Sequence, residues 1–199
     1  MVYILEPSSL KFRWERVGAG SQLLYKKSER GEPVLRSDLP AEIVLDGKFK
    51  LPDICEPTSG LIFVSEKARA VLEALAPDCI SFLPLVVNAP VYMNPLGPYF
   101  HVDVIARSKT VDWHQSVTRP RIVKGPEGKE SRSLKGGFRG GSVKFRPLTS
   151  RDPPIWRETD CEEAEVHFFA VKMDILMCDK LWIALNEMFV DQLRPVKIA

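Results

Sequence analysis

The pattern of apolar and polar positions predicts a strand–helix unit at residues 60–87. The continuous apolar run at 61–64 is typical of a buried strand. Ser65 follows as a good N-cap residue, and Glu66 adds negative charge at the start of the helix. The next apolar residues are spaced as on one helical face, namely Ala68, Val71, Leu72, Leu75 and Ala76. Pro77 ends the predicted helix.

A second unit with the same order is predicted near the C-terminal end. Residues 166–171 read as a strand, and a further apolar run at 175–178 leads to Asp179, which we interpret as an N-cap. The apolar stripe of a final helix follows, with Leu181, Trp182, Leu185, Met188 and Phe189. Ser65 and Asp179 therefore align, either through an internal duplication or because a common supersecondary pattern occurs twice.

The remaining apolar segments predict short strands. Residues 2–5 form one strand, and residues 42–51 form a hairpin that turns at Asp46-Gly47. Pro84, inside the strand at 82–87, indicates a sheet edge or a bulge.

The strand at 99–105 alternates in polarity. Val102 and Val104 lie on one face and His101 and Asp103 on the other, which predicts a half-exposed antiparallel strand. Together the elements predict an α+β fold in which two or three amphipathic helices pack on a mostly antiparallel sheet.

The near-neutral net charge of +2 hides an uneven distribution. Residues 119–157 carry eleven Lys or Arg against three acidic residues, a local charge of +8, so the rest of the chain carries −6. Gly and Pro interrupt this basic segment, and residues 124–142 show no helical or strand periodicity before a short strand at 143–146. We therefore predict one domain spanning 1–199 with a basic, Gly-rich loop insertion at about 119–157.

Composition excludes several classes of protein. No apolar run approaches the roughly 20 residues of a membrane-spanning helix, and the first residues lack the basic and apolar regions of a signal peptide. We therefore expect a cytoplasmic protein without membrane contact, in which the cysteines are reduced: Cys55, Cys79, Cys161 and Cys178.

The sequence contains no recognisable catalytic or cofactor-binding motif. Glycine-rich nucleotide-binding patterns, a nucleophile elbow and the H-E-x-x-H metal pattern are all missing. We therefore predict a protein that is not an enzyme and uses no cofactor and no metal. Two alternatives stay open: a metal site assembled around Cys161 and His167, and a divergent enzyme working from His101, Asp103 and His167.

Residues 136–141 resemble an Arg-Gly-Gly element, with Phe138 and Arg139 between glycines. Arginines on a flexible backbone can follow phosphates, and an aromatic ring can stack on a base. The same residues also fit a solvated linker or a docking loop for an acidic protein partner. Nucleic-acid binding or regulation through the basic segment is therefore our alternative function.

The order of the motifs resembles a large family of bacterial immunity proteins, first catalogued as a domain of unknown function and later attached to polymorphic and contact-dependent toxin systems. The resemblance rests on Tyr3-Ile4-Leu5, residues 51–54, GLIFVSEKARAVLEAL at 60–75, residues 82–85 and the strand at 99–104. VHFFAV at 166–171 and Asp179 are similar to the second half of the pattern. The basic segment at 119–157 and the ending at 193–196 depart from it.

The resemblance implies a small, non-enzymatic cytoplasmic protein that binds and neutralises a cognate toxin made by the same cell. Such inhibition requires shape, charge and buried anchors rather than reactive groups. We predict partner contacts from residues near the basic segment: Trp113, Arg132, Lys135, Phe138, Arg139 and Trp156. Each of the three aromatic residues could instead cap the core. The sequence leaves the oligomeric state open.

Overall fold

Two mostly antiparallel sheets, each with one helix packed on it, build the body of the protein. The structure is a computed structural model, and it describes residues 1–7, 13–15, 27, 32–46, 51–58, 61–88, 97–122, 130–134, 138–140, 143–159 and 174–198. The predicted α+β class is confirmed, with strands as the dominant element. Neither of the helices in these ranges has the length and apolar character needed to span a membrane.

The strands are numbered in chain order: β1 (Val2–Ile4), β2 (Arg13–Glu15), β3 (Ile43–Asp46), β4 (Ile54–Thr58), β5 (Leu61–Ser65), β6 (Ile80–Leu85), β7 (Val87–Asn88), β8 (Tyr99–Val104), β9 (Arg107–Ser108), β10 (Thr118–Ile122), β11 (Glu130–Leu134), β12 (Ile155–Glu158), β13 (Leu176–Cys178) and β14 (Val196–Lys197). Among the described residues, the α-helices with assigned bounds are α1 (Glu66–Leu75) and α2 (Asp179–Met188), and short 3-10 helices occur at Arg36–Asp38 and Phe138–Gly140.

The first sheet contains the strand–helix unit predicted at residue 60. Its strand order is β4-β5-β8-β6, and all neighbouring strands are antiparallel. Helix α1 follows β5 directly and ends before Pro77, as predicted. Pro84 lies in β6 at the edge of this sheet, where its missing N–H interrupts no internal ladder.

The second sheet repeats the strand order and register of the first. Its strands β12-β13-β1-β14 correspond to β4-β5-β8-β6, and β9 adds to β12 in parallel. Each residue of β13 and β14 has the same pairing position as the residue 113 positions earlier in β5 or β6. Ser65 thus corresponds to Cys178, and Pro84 corresponds to Lys197. Strand β1 therefore occupies the position that β8 occupies in the first sheet, although it comes from the opposite end of the chain.

The helix of each unit also has matching surroundings. Asp78 and Asp191, which follow α1 and α2, both adopt positive φ, at 58° and 63°. In each unit, one side chain of the helix packs on an aromatic ring of the sheet. Trp182 of α2 stacks on Tyr3 of β1, with ring centroids 4.6 Å apart. The Arg69 guanidinium of α1 lies 4.5 Å from the centroid of the Phe100 ring in β8. These correspondences favour an internal duplication over a common pattern that occurs twice.

The start of α2 differs from the prediction by one residue. Ser65 is the N-cap of α1, since its Oγ accepts a hydrogen bond from the Ala68 N–H at 3.2 Å. The N-cap of α2 is Cys178, whose side chain makes no capping hydrogen bond. Asp179 is instead the first helical residue, where its charge favours the helix dipole. Ser65 therefore aligns with Cys178 rather than with Asp179.

Three apolar clusters hold these layers together. The central cluster lies between the two sheets and takes Leu72 from α1 and Leu185 from α2. A second cluster covers the outward face of the first sheet with Val34, Leu39, Ile43 and Leu51. The third covers the outward face of the second sheet and contains Trp156 and Phe138. Both sheets are therefore covered on both faces.

Strand β8 is more deeply buried than its alternating pattern predicts. His101 and Asp103 are each 3% exposed, whereas we expected them on a half-exposed face. The segment at 32–40 covers that face, and the Val34 N–H donates to Asp103 Oδ2 at 3.0 Å. A segment distant in the chain buries these residues, and the pattern of β8 alone does not contain that information.

Two small sheets also differ from the predictions. Strand β3 pairs with β2 and β7, so the hairpin predicted at 42–51 is wrong in its pairing, while residues 47–50 lie outside the described residues.

Strands β10 and β11 form a hairpin in the basic segment, where we expected no regular structure before Val143. The short strand predicted at 143–146 is reduced to an isolated bridge between Phe145 and Val111. The strand predicted at 166–171 lies outside the described residues.

Candidate functional site

An irregular outer layer covers the outward face of the second sheet, and Glu158 in β12 anchors it. Glu158 Oε1 accepts hydrogen bonds from the backbone N–H groups of Thr110 and Val111, at 2.7 and 3.1 Å. Its Oε2 accepts from the Thr110 hydroxyl at 2.6 Å, and Trp156 Nε1 donates to the same hydroxyl oxygen at 3.1 Å. Burial raises the pKa of Glu158, and these hydrogen bonds act against that shift.

The turn at residues 145–154 is held by Asp152. The Arg146 guanidinium donates to both oxygens of the Asp152 carboxylate, at 2.5 and 2.8 Å. The N–H and hydroxyl of Thr149 donate to Asp152 Oδ2 at 2.8 and 3.1 Å. The hydrogen bonds from Arg146 hold the pKa of Asp152 well below its usual range. The turn is therefore fixed in shape, and the charges of Arg146 and Asp152 neutralise each other.

A groove of about 680 Å³ lies beside this turn. One wall is the turn at 145–154, and the other is formed by the beginnings of β1 and α2. Apolar side chains make up most of the lining, among them Met1, Val2, Phe145, Leu148, Pro153 and Pro154. Lys180, in the first turn of α2, lines the groove and is exposed.

Exposed cations line this groove or adjoin its lining residues in the chain. Lys144 and Arg151 are exposed and adjoin lining residues in the chain, and Lys180 contributes a third positive charge. The acidic lining residues are Asp179 and Asp152, of which Asp152 is neutralised by Arg146. Exposed acidic residues elsewhere include Glu42 and, on or next to the helices, Glu66, Glu73, Glu187 and Asp191. The charges of the lining side chains therefore balance, and the positive excess in this region comes from Lys144 and Arg151, which adjoin lining residues in the chain.

Comparison with models of protein families identifies the family. The model of the Immunity protein family (Imm11) matches residues 15–162, well over half of the chain. The chain belongs to this family. The resemblance derived from the motifs is thereby confirmed, although the match runs through the basic segment that we expected to depart from the family pattern. No curated protein matches the chain.

Membership in the Imm11 family indicates a role in toxin immunity, and immunity proteins are typically non-enzymatic. For such a protein the functional site is a surface that contacts another protein. The positions of the six residues predicted to contact the partner are therefore of direct interest.

The aromatic residues among those six lie in or against the core. Phe138 and Trp156 are 1% and 0% exposed, and both belong to the apolar cluster on the second sheet. Trp113 is half-buried and packs against the same cluster. Phe138 and Trp156 therefore pack in the core, as the alternative for these residues stated.

The basic residues among the six have different environments. Arg139 is exposed, and its Nη1 lies 2.5 Å from Glu6 Oε2 in an ion pair. Arg132 lies in β11, opposite Pro120 of β10. Lys135 lies outside the described residues. The structure thus places Arg139 at the surface, directly after the core residue Phe138 in the chain.

The alternative catalytic pair is closed to solvent. His101 and Asp103 are buried in β8, and burial lowers the pKa of His101 to about 4, so the imidazole is neutral at pH 7. Arg157 in the neighbouring sheet is also buried, and burial lowers its pKa to about 10. His167 lies outside the described residues. A substrate therefore has no access to His101 or Asp103 in this conformation.

The described residues contain no group of three or more metal-ligating side chains. The cysteines among them, Cys55, Cys79 and Cys178, form no disulfide. Cys161, named in the alternative metal site, lies outside the described ranges.

Sequence reasoning missed the groove. Its turn carries a local signal, because Thr149 and Asp152 have the spacing at which a hydroxyl and a carboxylate cap neighbouring backbone groups. No sequence signal links this turn to Met1 or Lys180, since tertiary structure alone brings those segments together.

Proposed function

We propose that this protein is a bacterial immunity protein that binds its cognate toxin and neutralises it by non-covalent occlusion, in the cytoplasm of the cell that makes the toxin. The observation that carries the proposal is the family match over residues 15–162. A binding role is supported by an ordered, irregular surface layer, because irregular segments on a rigid sheet commonly carry recognition.

Inhibition by occlusion needs complementary shape and charge, with a few well-packed anchors. The fixed turn at 145–154 fits this requirement, since a surface that is ordered before binding loses less entropy on association. The buried positions of His101 and Asp103 also agree with a role that requires no reactive group.

Co-expression with the toxin encoded next to the gene tests this proposal. We expect cells that produce the toxin to grow when the immunity protein is present, and the two purified proteins to form a stoichiometric complex. The control is an unrelated toxin of the same biochemical class, which the protein should leave active. Continued toxicity in the presence of well-expressed, folded protein would contradict the proposal.

The alternative function, nucleic-acid binding through the basic segment, makes a different prediction. Binding to a single-stranded RNA oligonucleotide should weaken steeply with salt and should weaken further when Lys135 and Arg139 are neutralised. The ion pair between Arg139 and Glu6 already compensates one of these charges. RNA binding together with no effect on any toxin would favour this alternative.

A further inference from the structure

We propose that the groove between the turn at 145–154 and the start of α2 is where the toxin docks an acidic segment that carries an apolar side chain. The inference rests on the proposed function and deepens it, because it names the surface and the chemistry of the partner. Four features of the groove support it: its size, its lining, its charge and its fixed shape.

The size and lining of the groove suit a side chain from another protein. At about 680 Å³ it is comparable with sites that bury small ligands or peptide anchors, which typically have volumes of roughly 300–1,000 Å³. Phe145, Leu148, Pro153 and Pro154 present apolar surface to it. Apolar anchors in such pockets commonly dominate the free energy of protein–protein association.

The charge of the groove selects an acidic partner. Lys180 and Asp179 line the groove, and the exposed residues Lys144 and Arg151 are chain neighbours of lining residues, so exposed cations outnumber the unpaired acid in this region. The Asp152 carboxylate accepts two hydrogen bonds from the Arg146 guanidinium, so it repels an incoming carboxylate less than an unpaired carboxylate would. Complementary charges at the rim of an interface accelerate association and select the correct partner.

The groove keeps its shape without a partner. Arg146 Nε donates to the Lys109 carbonyl at 3.0 Å, which ties the turn to the segment that Glu158 fixes on the sheet. Ser108 Oγ donates to Asp152 Oδ1 at 3.2 Å. A prearranged site of this kind avoids much of the entropic cost of ordering a loop on binding.

A protein segment fits these features better than a nucleic acid does. Phosphates need cations and N–H donors along the path of the backbone, and bases need exposed ring faces on which to stack. Here Lys180 is the lining cation not bonded to a carboxylate, the lining is mostly aliphatic or proline with Phe145 as its aromatic residue, and the Arg146 guanidinium is hydrogen-bonded to Asp152. An acidic side of the toxin segment can meet the rim while its apolar side chain enters the groove.

A pair of matched charge reversals tests the inference. Lys180 and Lys67 are both exposed lysines at the second position of their helices and correspond under the 113-residue shift. We expect Lys180→Glu to raise the Kd for the neighbouring-gene toxin about tenfold at low salt, with a smaller ratio at high salt, because rim charges are screened. Lys67→Glu should change the Kd less than about twofold.

A second variant probes the groove without changing charge. Ser150 lines the groove and is exposed, so Ser150→Trp should fill part of it and weaken toxin binding at every salt concentration. Thermal unfolding of Lys180→Glu and Ser150→Trp should match that of the wild type, because acidic residues are tolerated in a first helical turn and Ser150 lies at the surface. Lys67→Glu should be slightly less stable, because the Lys67 ammonium lies 5.2 Å from the centroid of the Phe189 ring and that contact is lost.

The outcomes separate the inference from the function on which it rests. If the wild type binds the toxin and Lys180→Glu and Ser150→Trp bind equally well, the toxin docks elsewhere and the inference is wrong, while the proposed function stands. If the wild type does not bind the toxin, both fail. If Lys180→Glu instead abolishes binding of an RNA oligonucleotide, the groove is a nucleic-acid site and the inference is overturned.

Discussion

Phe138 and Arg139 are neighbours in the chain but have opposite environments. The Phe138 side chain is 1% exposed, and its ring centroid lies 5.9 Å from that of Phe145. The Arg139 side chain is 53% exposed and pairs with Glu6. At the scale of single residues, the glycine-rich composition around them indicates a polar linker, whereas a ring from that segment completes the core over the second sheet.

These environments predict different effects of substitution. Phe138→Ala should lower the free energy of unfolding by about 3–5 kcal/mol, because it leaves a cavity in a packed cluster. Arg139→Ala should cost less than about 1 kcal/mol, since an exposed ion pair contributes little. Chemical denaturation monitored by tryptophan fluorescence measures both. Equal, small losses for the two variants would contradict the buried position of Phe138.

At the scale of elements, the two helices start in the same way but with different capping residues. Ser65 accepts a hydrogen bond from the Ala68 N–H and donates one to Asp53 Oδ1 at 2.5 Å. Cys178 occupies the equivalent position in α2 without such a bond, because a thiol is a weak acceptor. In α2, Asp179 at the first helical position supplies the favourable negative charge.

Reciprocal exchange of these residues should have opposite effects. Ser65→Cys should destabilise the protein by about 1 kcal/mol, because the N-cap acceptor is lost. Cys178→Ser should stabilise it by about 0.5 kcal/mol, since it supplies that acceptor with little change in volume. Denaturant midpoints of the two variants and the wild type provide the measurement. A loss of stability in both variants would mean that the site at Cys178 does not tolerate a hydroxyl and that capping does not distinguish the helices.

At the scale of the whole molecule, the first strand of the chain completes a sheet whose other strands come mostly from the second half. Strand β1 lies between β13 and β14, and the Ile198 N–H donates to the Val2 carbonyl at 3.0 Å. The side chains of residues 2–5 are all buried. The second sheet therefore depends on a strand from the first residues of the chain, and the central cluster joins the two sheets.

Truncation from either end should reveal that dependence. Removal of residues 1–5 should unfold the protein at 25 °C, because burial of four apolar side chains contributes roughly 1.5–3 kcal/mol each, and total stabilities are only about 5–15 kcal/mol. Removal of the residues from Val196 onwards takes away only the edge strand β14 and should leave a cooperative unfolding transition.

Circular dichroism and thermal unfolding compare the two truncated proteins. A cooperative unfolding transition in the protein without residues 1–5 would show that the second sheet forms without β1, which lies between β14 and β13.

Local patterns in the sequence determined several elements of this protein. Helical spacing from Ala68 to Ala76, the N-cap Ser65 and the edge position of Pro84 follow from the properties of adjacent residues, and the structure confirms them. The order of these motifs also identified the immunity family. These features were predictable because each depends on a few residues close together in the chain.

Tertiary structure alone decided which segments cover one another. The segment at 32–40 buries His101 and Asp103, Phe138 joins the core, and the groove joins the turn at 145–154 to the start of β1 and α2. Each of these features depends on contacts between residues far apart in sequence. Hydrophobic periodicity describes only neighbouring residues and does not predict such contacts. The sequence by itself therefore determined the family and the elements with a clear local pattern, and long-range packing decided how the strands pair and which residues are surface and which are core.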